Sequence, residues 1–401
     1  MTVGTAFHER TAPLNRKMQW REWSGYFASS VYADAHDIEY AAIREAAALI
    51  DVSPLYKYRV SGPDAERLVD RVIVRDASKL KVGQVYYTCW CDEAGKVIDD
   101  GTVHRLAPDE FRWTAADPQF RWLALNADGL DVAIEDVTDT TAAVALQGPL
   151  SRAVLEAATG EDFADLRYFR RRPATVKLGR RRLHIDVSRT GYTGDLGYEV
   201  WIDAERATDL WDALVAAGQP FRLRPAGMLA LDVVRLEAGL ILLEVDYTSS
   251  RHALTPDQAY SPFEIGLGRL VKLDKAADFV GRRALQAEVD RGGPPRRLVG
   301  LRLDWDGIER RFGEQGVPPA ISPAVDRSQI PVFARGRQVG RVTSHGWSPI
   351  LKTAIALASV PPAYEADGTR LEMEWTVEGH RGRVDATVTG LPFLDLERKR
   401  A

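Results

Sequence analysis

A strand–helix–strand–strand unit occurs twice along the chain, and that recurrence limits the fold more than any other feature of the sequence. In the first unit "YKYRVSG" alternates as a strand and ends at a Gly-Pro turn. "GPDAERLVDRVIV" opens with Pro in its first turn and reads as a helix. "GQVYYTCWCDEAGKVIDDGTVHRL" reads as a hairpin turning at Asp92–Gly95, followed by the strand "EFRWTAA" and the helix "PQFRWLALNAD". The second unit repeats the order: strand "TAAVALQGP", helix "LSRAVLEAATG", strands "RRLHIDVSRT" and "YEVWID", helix "AERATDLWDALVAAG". Two such units predict an α+β architecture with two halves of similar build. Ahead of them lies an aromatic, irregular segment with Trp20, Trp23, Tyr26, Phe27 and Tyr32; "DIEYAAIREAAALID" then has the spacing and Ala content of a helix.

After the second half, "DRGGPPRR" (residues 290–297) is a Pro/Gly-rich linker. Short β-type runs follow, among them "RLVGLRLDW", "GRVTSHGW" and "GRVDATVTG", which predict a small antiparallel barrel or sandwich. The expected division is therefore 1–289, a linker at 290–297, and a β domain at 298–401. A chain of 401 residues is long enough for two or three cores.

Composition excludes several functions. Lys+Arg 53 against Asp+Glu 57 gives a net charge of -4, without the basic excess that nucleic acid requires. The basic runs "RRRP" (170–173) and "GRRR" (179–182) read as solvated strand edges. No apolar run reaches the roughly 18 residues of a membrane span, and the N-terminus lacks a signal core. The two cysteines, Cys89 and Cys91, read as small apolar strand residues facing one side with Trp90 opposite. So few cysteines favour a reducing compartment, and the chain is expected to be cytoplasmic. No histidine pair has metal-ligand spacing and no G-x-S-x-G elbow is present, so neither a metal nor a serine hydrolase is predicted.

Two stretches carry chemistry. In "KVIDDGTVHRL" the adjacent Asp99 and Asp100 point to opposite faces of a strand, so one of them enters the protein. An inward carboxylate needs a partner or a raised pKa, which marks a structural ion pair or a functional site. In "SRTGYTGDLGYEVWI" the glycines suggest a phosphate cradle, but no Lys follows and the loop exits into a strand rather than a helix. What remains is a turn presenting Tyr192 and a strand carrying Glu199. "DVVRLEAGLILLEVDY" reads as a helix up to Gly239, with Arg235 near its C-terminal end, where the dipole favours a cation.

These stretches resemble the glycine cleavage T-protein family, the tetrahydrofolate-dependent aminomethyltransferases and their relatives. "GKVIDDGTV" resembles the family's G-G-I-L-D-D-L-x-V, "ALQGPLS" its L-Q-G-P, and "RTGYTGDLGYEV" its R-T-G-Y-T-G-E-D-G-F-E. "RPAGMLALDVVRLEAGLILL", "SPFEIGLGRLVKLDKAADFVGRRAL" and "GRVTSHGWSPILKTAIALASV" are similar to later family blocks, in family order, from about Asp51 onward. The resemblance implies a three-domain cloverleaf: two α+β domains around a central folate cavity and a C-terminal antiparallel β-barrel. It implies Asp100 as the catalytic aspartate beside the folate nitrogens. Tyr87, Tyr192, Glu199 and Arg235 match cofactor-site positions, with Glu199 suited to pair a pyrimidine edge and Arg235 on the cavity rim.

The sequence also departs from the family. "DVSPLYKY" (51–58) stands where typical T-proteins read D-V-S-H-M, "WTAA" replaces V-N-A, and the N-terminal segment is unlike theirs. These changes point to a different one-carbon donor. The resemblance then implies a methyltransferase or demethylase moving a methyl group from a small methylated donor to tetrahydrofolate. The alternative is the aminomethyltransferase of glycine cleavage, which works with a lipoylated carrier protein. The binding-only relatives in iron–sulfur assembly carry K-G-C-Y-x-G-Q-E, which is absent here. Candidates for the donor side are Tyr56, Lys57 and His104, with Trp20, Trp23 and Tyr26 as pocket walls or packing staples.

Overall fold

A computed structural model describes residues 1–179 and 181–400. Arg180, inside the basic run 179–182, lies outside the described residues. Among the described residues, two large sheets, a barrel and a small N-terminal hairpin (Trp20–Trp23 with Tyr26–Ser29) form the β structure. The first sheet has the strand order Val85–Cys91, Val97–Ala107, Glu110–Ala115, Tyr56–Ser61, Ala133–Asp136, antiparallel throughout. The helices Ala65–Val72 and Phe120–Asn126 accompany it in sequence. Its core joins Tyr58, Leu68, Val72, Trp90, Val103 and Trp113, with Trp90 and Trp113 packed edge to face at 4.9 Å.

The second sheet runs Arg171–Leu178, Arg181–Ser188, Gly197–Asp203, Thr141–Gln147, Ala48–Asp51, Arg224–Pro225. Helices Ser151–Thr159 and Ala207–Gly218 bury Leu155, Leu210, Trp211 and Leu214 in its core. Its fifth strand comes from ahead of the first unit, so the two α+β halves interweave. This corrects the helix expected over "DIEYAAIREAAALID". The helix is His36–Glu45 only; Ala46 leaves helical geometry (φ -140, ψ -116) and Ala48–Asp51 pairs with Thr141–Gln147. Ala-rich propensity loses here to the ladder bonds and burial available at Leu49 and Ile50.

Six antiparallel strands close the C-terminal barrel: Arg297–Leu303, Thr353–Val360, Arg337–Ser348, Ile330–Ala334, Arg370–Val377, His380–Thr389. Closure removes free sheet edges. "RLVGLRLDW" is not all strand: Asp304 caps a helix, Trp305–Gly313, by accepting from Gly307 N. The expected linker narrows too, since Asp290 ends the helix Arg282–Asp290 and Arg297 begins the barrel. One residue of "RRRP" is not a solvated edge: Arg171 pairs with Asp186 at 2.5 Å and is largely buried. Cys89 and Cys91 are buried free thiols on one side of their strand, opposite Trp90. Among the described residues no helix is long and apolar enough to cross a membrane.

The helix Met228–Glu237 links the helix His36–Glu45 and the glycine loop to the barrel. Buried Glu237 accepts from Tyr40 Oη (2.7 Å), Ser348 Oγ of the barrel (2.6 Å), and Arg44 Nε and Nη2 (3.0 and 2.6 Å). Arg44 also donates to Thr193 O (2.9 Å) and Asp195 (3.3 Å) in the glycine loop. Removing one member strands the other charges away from water. Arg44→Met is expected to lower stability by about 3–5 kcal/mol, read as a lower urea midpoint at unchanged slope.

Candidate active site

Strand alternation sorts the two adjacent carboxylates. Asp99 is fully buried on the helix-covered face. It accepts Asp100 N (2.7 Å), Ala116 N (3.0 Å), Asp117 N (2.9 Å) and Gln119 Nε2 (3.3 Å). Burial, and then the neighbouring Asp100 charge, push its carboxyl well above the usual range, and the Asp117 and Asp100 N–H donors pull against that shift. It anchors the hairpin to the 115–119 turn. Gly101 beside it is obligatory, since a Cβ there would lie 2.0 Å from the Thr114 carbonyl oxygen.

Asp100 faces the other way and is half-buried. Tyr87 Oη donates to its Oδ2 (2.8 Å) and Tyr247 Oη to its Oδ1. Burial raises the Asp100 carboxyl above the usual range, and the phenols, Tyr247 before Tyr87, pull it back down. Each oxygen thus has one donor and spare acceptor capacity. Tyr247 was missed in the sequence. It closes the quoted run "LILLEVDY", but nothing in its spacing ties it to an aspartate 147 positions away.

The glycine loop is held by Gln147 of "ALQGP". Gln147 Nε2 donates to Thr190 O (3.3 Å) and Tyr198 O (3.2 Å), and its Oε1 accepts from Thr193 Oγ1 (2.7 Å). A Cβ on Gly191 or Gly197 would sit 2.2 or 2.3 Å from that amide. These glycines make room for a side chain; only Gly194 (φ +70) needs the left-handed region. Tyr192 is half-buried, donates to Ile241 O, and packs in the same apolar cluster as Trp23. Glu199 Oε2 accepts from Thr190 Oγ1 (2.6 Å), and burial raises its carboxyl against that bond and the nearby Arg112. Arg235 differs from its expected place on the rim. It is 1% exposed and its donors go to Asp232 (3.1 Å), Asp246 (2.7 Å) and Ser344 of the barrel (2.9 Å). A buried guanidinium this fully paired acts as a strut.

The donor-side candidates differ in their surroundings. His104 is fully buried, and burial first, then Arg112 and Arg171, push it well below its usual range. Arg112 Nη2 (3.1 Å) can only donate, so Nδ1 accepts and Nε2–H donates to Thr102 Oγ1 (3.0 Å). This neutral, occupied imidazole cannot serve as an acid at neutral pH. It corrects the reading of His104 as a donor-side group and makes it part of a network that reaches Asp186 of the second sheet through Arg112 (2.6 Å). Tyr56 is half-buried with Asp117 and Glu22 as its nearest acidic influences. Lys57 is fully buried and donates to two backbone carbonyls. Trp20 packs on His8 and Phe27 as a staple of the N-terminal segment. Asp117, Glu244 and His252 lie close enough to offer ligand atoms within 4.8 Å of one another. They bond each other there, His252 Nδ1 to Glu244 at 2.9 Å, near the surface.

Comparison with known proteins agrees with this fold. The family model of the GCVT N-terminal domain matches residues 5–275, and that of the glycine cleavage T-protein C-terminal barrel domain matches 317–395. A trimethylamine-oxide aldolase of Ruegeria pomeroyi is 37% identical over 411 residues, covering 100% of this chain and 48% of that protein. This chain therefore spans about half the length of that relative. An aminomethyltransferase of Symbiobacterium thermophilum is 39% identical over 372 residues, covering 90% of each. The crystal structure of aminomethyltransferase T from Bartonella henselae superposes with a TM-score of 0.80 at 25% identity, covering 98% of both chains. The fold and these relatives define the class: a glycine cleavage T-protein fold of the kind found in aminomethyltransferases and in a trimethylamine-oxide aldolase. The chain belongs to the glycine cleavage T-protein family.

Because the phenols lower the Asp100 carboxyl, Tyr247→Phe is expected to raise its apparent pKa further, seen in a carboxyl-carbon NMR titration. An unmoved titration would show that the Tyr247 hydrogen bond does not influence Asp100.

Proposed function

We propose that this chain transfers a one-carbon unit from a small methylated donor to tetrahydrofolate at Asp100. The observation that carries this reading is the half-buried Asp100 carboxylate held by the Tyr87 and Tyr247 phenols, with acceptor capacity left on both oxygens. The residues fit a folate: Asp100 suits a ring N–H, and Glu199 offers a carboxylate, oriented by Thr190, to a pyrimidine edge. Tetrahydrofolate, when bound, supplies the nitrogen that accepts the one-carbon unit.

The chain's own residues do the rest. Tyr87 and Tyr247 hold Asp100 in one rotamer, so that it orients its partner and takes up the proton lost there. A carboxyl raised above the ordinary range is the better base near neutrality. Tyr192 and Trp23 lend an apolar wall, and Arg235 keeps the loop 240–246 against the barrel. Holding donor and acceptor together supplies rate through proximity. The methylated-donor choice is supported by the whole-chain similarity to a trimethylamine-oxide aldolase and by the departures at "DVSPLYKY". A cytoplasmic location fits the two free cysteines.

A second reading, glycine-cleavage aminomethyltransferase with a lipoylated carrier, is favoured by relatives at 33–39% identity. Turnover with tetrahydrofolate and a panel of methylated donors separates the two. Methylene product from an aminomethyl-lipoyl carrier, with none from methylated donors, selects the second. Asp100→Asn is expected to lower turnover at least about 100-fold with folate affinity kept; undiminished activity would remove Asp100 from the chemistry.

A further inference from the structure

Neighbours on a regular strand point to opposite faces, yet Thr343 and Ser344 of the barrel strand Arg337–Ser348 reach the same atom. Thr343 Oγ1 donates to Asp246 Oδ1 at 2.6 Å, and Ser344 Oγ donates to that oxygen at 2.7 Å. A break in register permits this. Val342 pairs with Ala358 and Ser344 with Leu357, so Thr343 is the extra residue of a β-bulge. A bulge gives up ladder pairing and re-aims a side chain, and bulges are over-represented beside active sites. Thr343 and Ser344 are both fully buried.

Asp246, where they converge, is also buried, and its Oδ2 accepts Arg235 Nη1 (2.7 Å) and Leu242 N (2.9 Å). Arg235 supplies the counter-charge. The two barrel hydroxyls add no charge; they fix where the other oxygen lies. The next residue is buried Tyr247, whose Oη donates to Asp100 Oδ1. Beyond it the chain is fastened to the Asp100 strand: Ser249 Oγ donates to Ile98 O (2.7 Å) and Ser250 N to Val97 O (2.8 Å). Residues 242–250 thus bridge the barrel bulge and the Asp100 strand, with Tyr247 between the two anchors. A hydrogen bond weakens steeply with distance and angle, so a shift at the bulge alters the phenol's hold on Asp100.

We infer that Thr343 and Ser344 are positioning residues for Asp100, acting through Asp246 and Tyr247. The two hydroxyls work at one remove: they set the phenol that bonds the carboxylate. The consequence for turnover rests on the reading of Asp100 as the group that meets folate. The coupling itself does not, so its test uses neither folate nor donor.

The carboxyl-carbon NMR titration of Asp100 is recorded in the free protein. Tyr87, Tyr192, Tyr247 and Asp99 are the titratable groups that interact with it, so the Asp100 signal is assigned and followed separately from that of Asp99. In Thr343→Val, which keeps the side-chain shape, and in Ser344→Ala, the Asp100 midpoint is expected to move up, because the Tyr247 hydrogen bond pulls it down. The rise is bounded by that of Tyr247→Phe. Thr343→Ser, which keeps the hydroxyl, is expected to titrate as the native protein. Thr343→Val combined with Tyr247→Phe is expected to titrate as Tyr247→Phe alone, since the path runs through that phenol. If one single variant does not fold, the other decides. A lowered urea midpoint with an unmoved Asp100 titration overturns the proposal, because the hydroxyls then serve only the stability of the barrel. Additive shifts in the double variant overturn it as well.

Discussion

The site depends on the period-two alternation of one β-strand. Because neighbours on Val97–Ala107 point to opposite faces, Asp99 and Asp100 live in different media one residue apart. Asp99 meets a ring of N–H donors that fixes the strand to the 115–119 turn. Asp100 meets two phenols and keeps part of its acceptor capacity. The first carboxyl uses its acceptor oxygens for structure, and this leaves the second rigidly held.

A second constraint brings the parts of the chain together around that strand. Arg235 and Glu237, two residues apart on Met228–Glu237, both reach the barrel, through Ser344 and Ser348. Glu237 also ties in Arg44, which grips the glycine loop at Thr193 and Asp195. Arg235 holds Asp246, one residue before Tyr247, whose hydroxyl completes the Asp100 pair. Stability and site geometry are thus carried by the same buried charges, which helps explain why so many polar groups lie inside this protein.

Much of the fold was legible because it follows from local pattern. The two α+β units, the Asp92–Gly95 hairpin and the β-rich tail all rest on periodicity and turn residues. Where pattern and partner conflict, the partner wins: Ala48–Asp51 gives up helical propensity for a place in the second sheet. The glycine loop shows the same limit. Its glycines look like turn residues, yet two of them are small because the Gln147 amide passes beside them. For the site, resemblance pointed to Asp100, Tyr87, Tyr192 and Glu199. It did not reveal Tyr247, the buried setting of Arg235, or the neutral state of His104, because each depends on residues distant in sequence.

The sequence by itself determined the fold class, the family and the alternation that sends one aspartate inward. These are local or cumulative signals, written in residues that lie side by side. Only the tertiary structure decided which side chains share a charge and which lack one. Lys57 and Lys275 are the same residue type, both buried, but among the described residues only Lys275 pairs with a carboxylate. Burial and counter-ions are set by chain segments that meet in space, and those meetings give each lysine its chemistry.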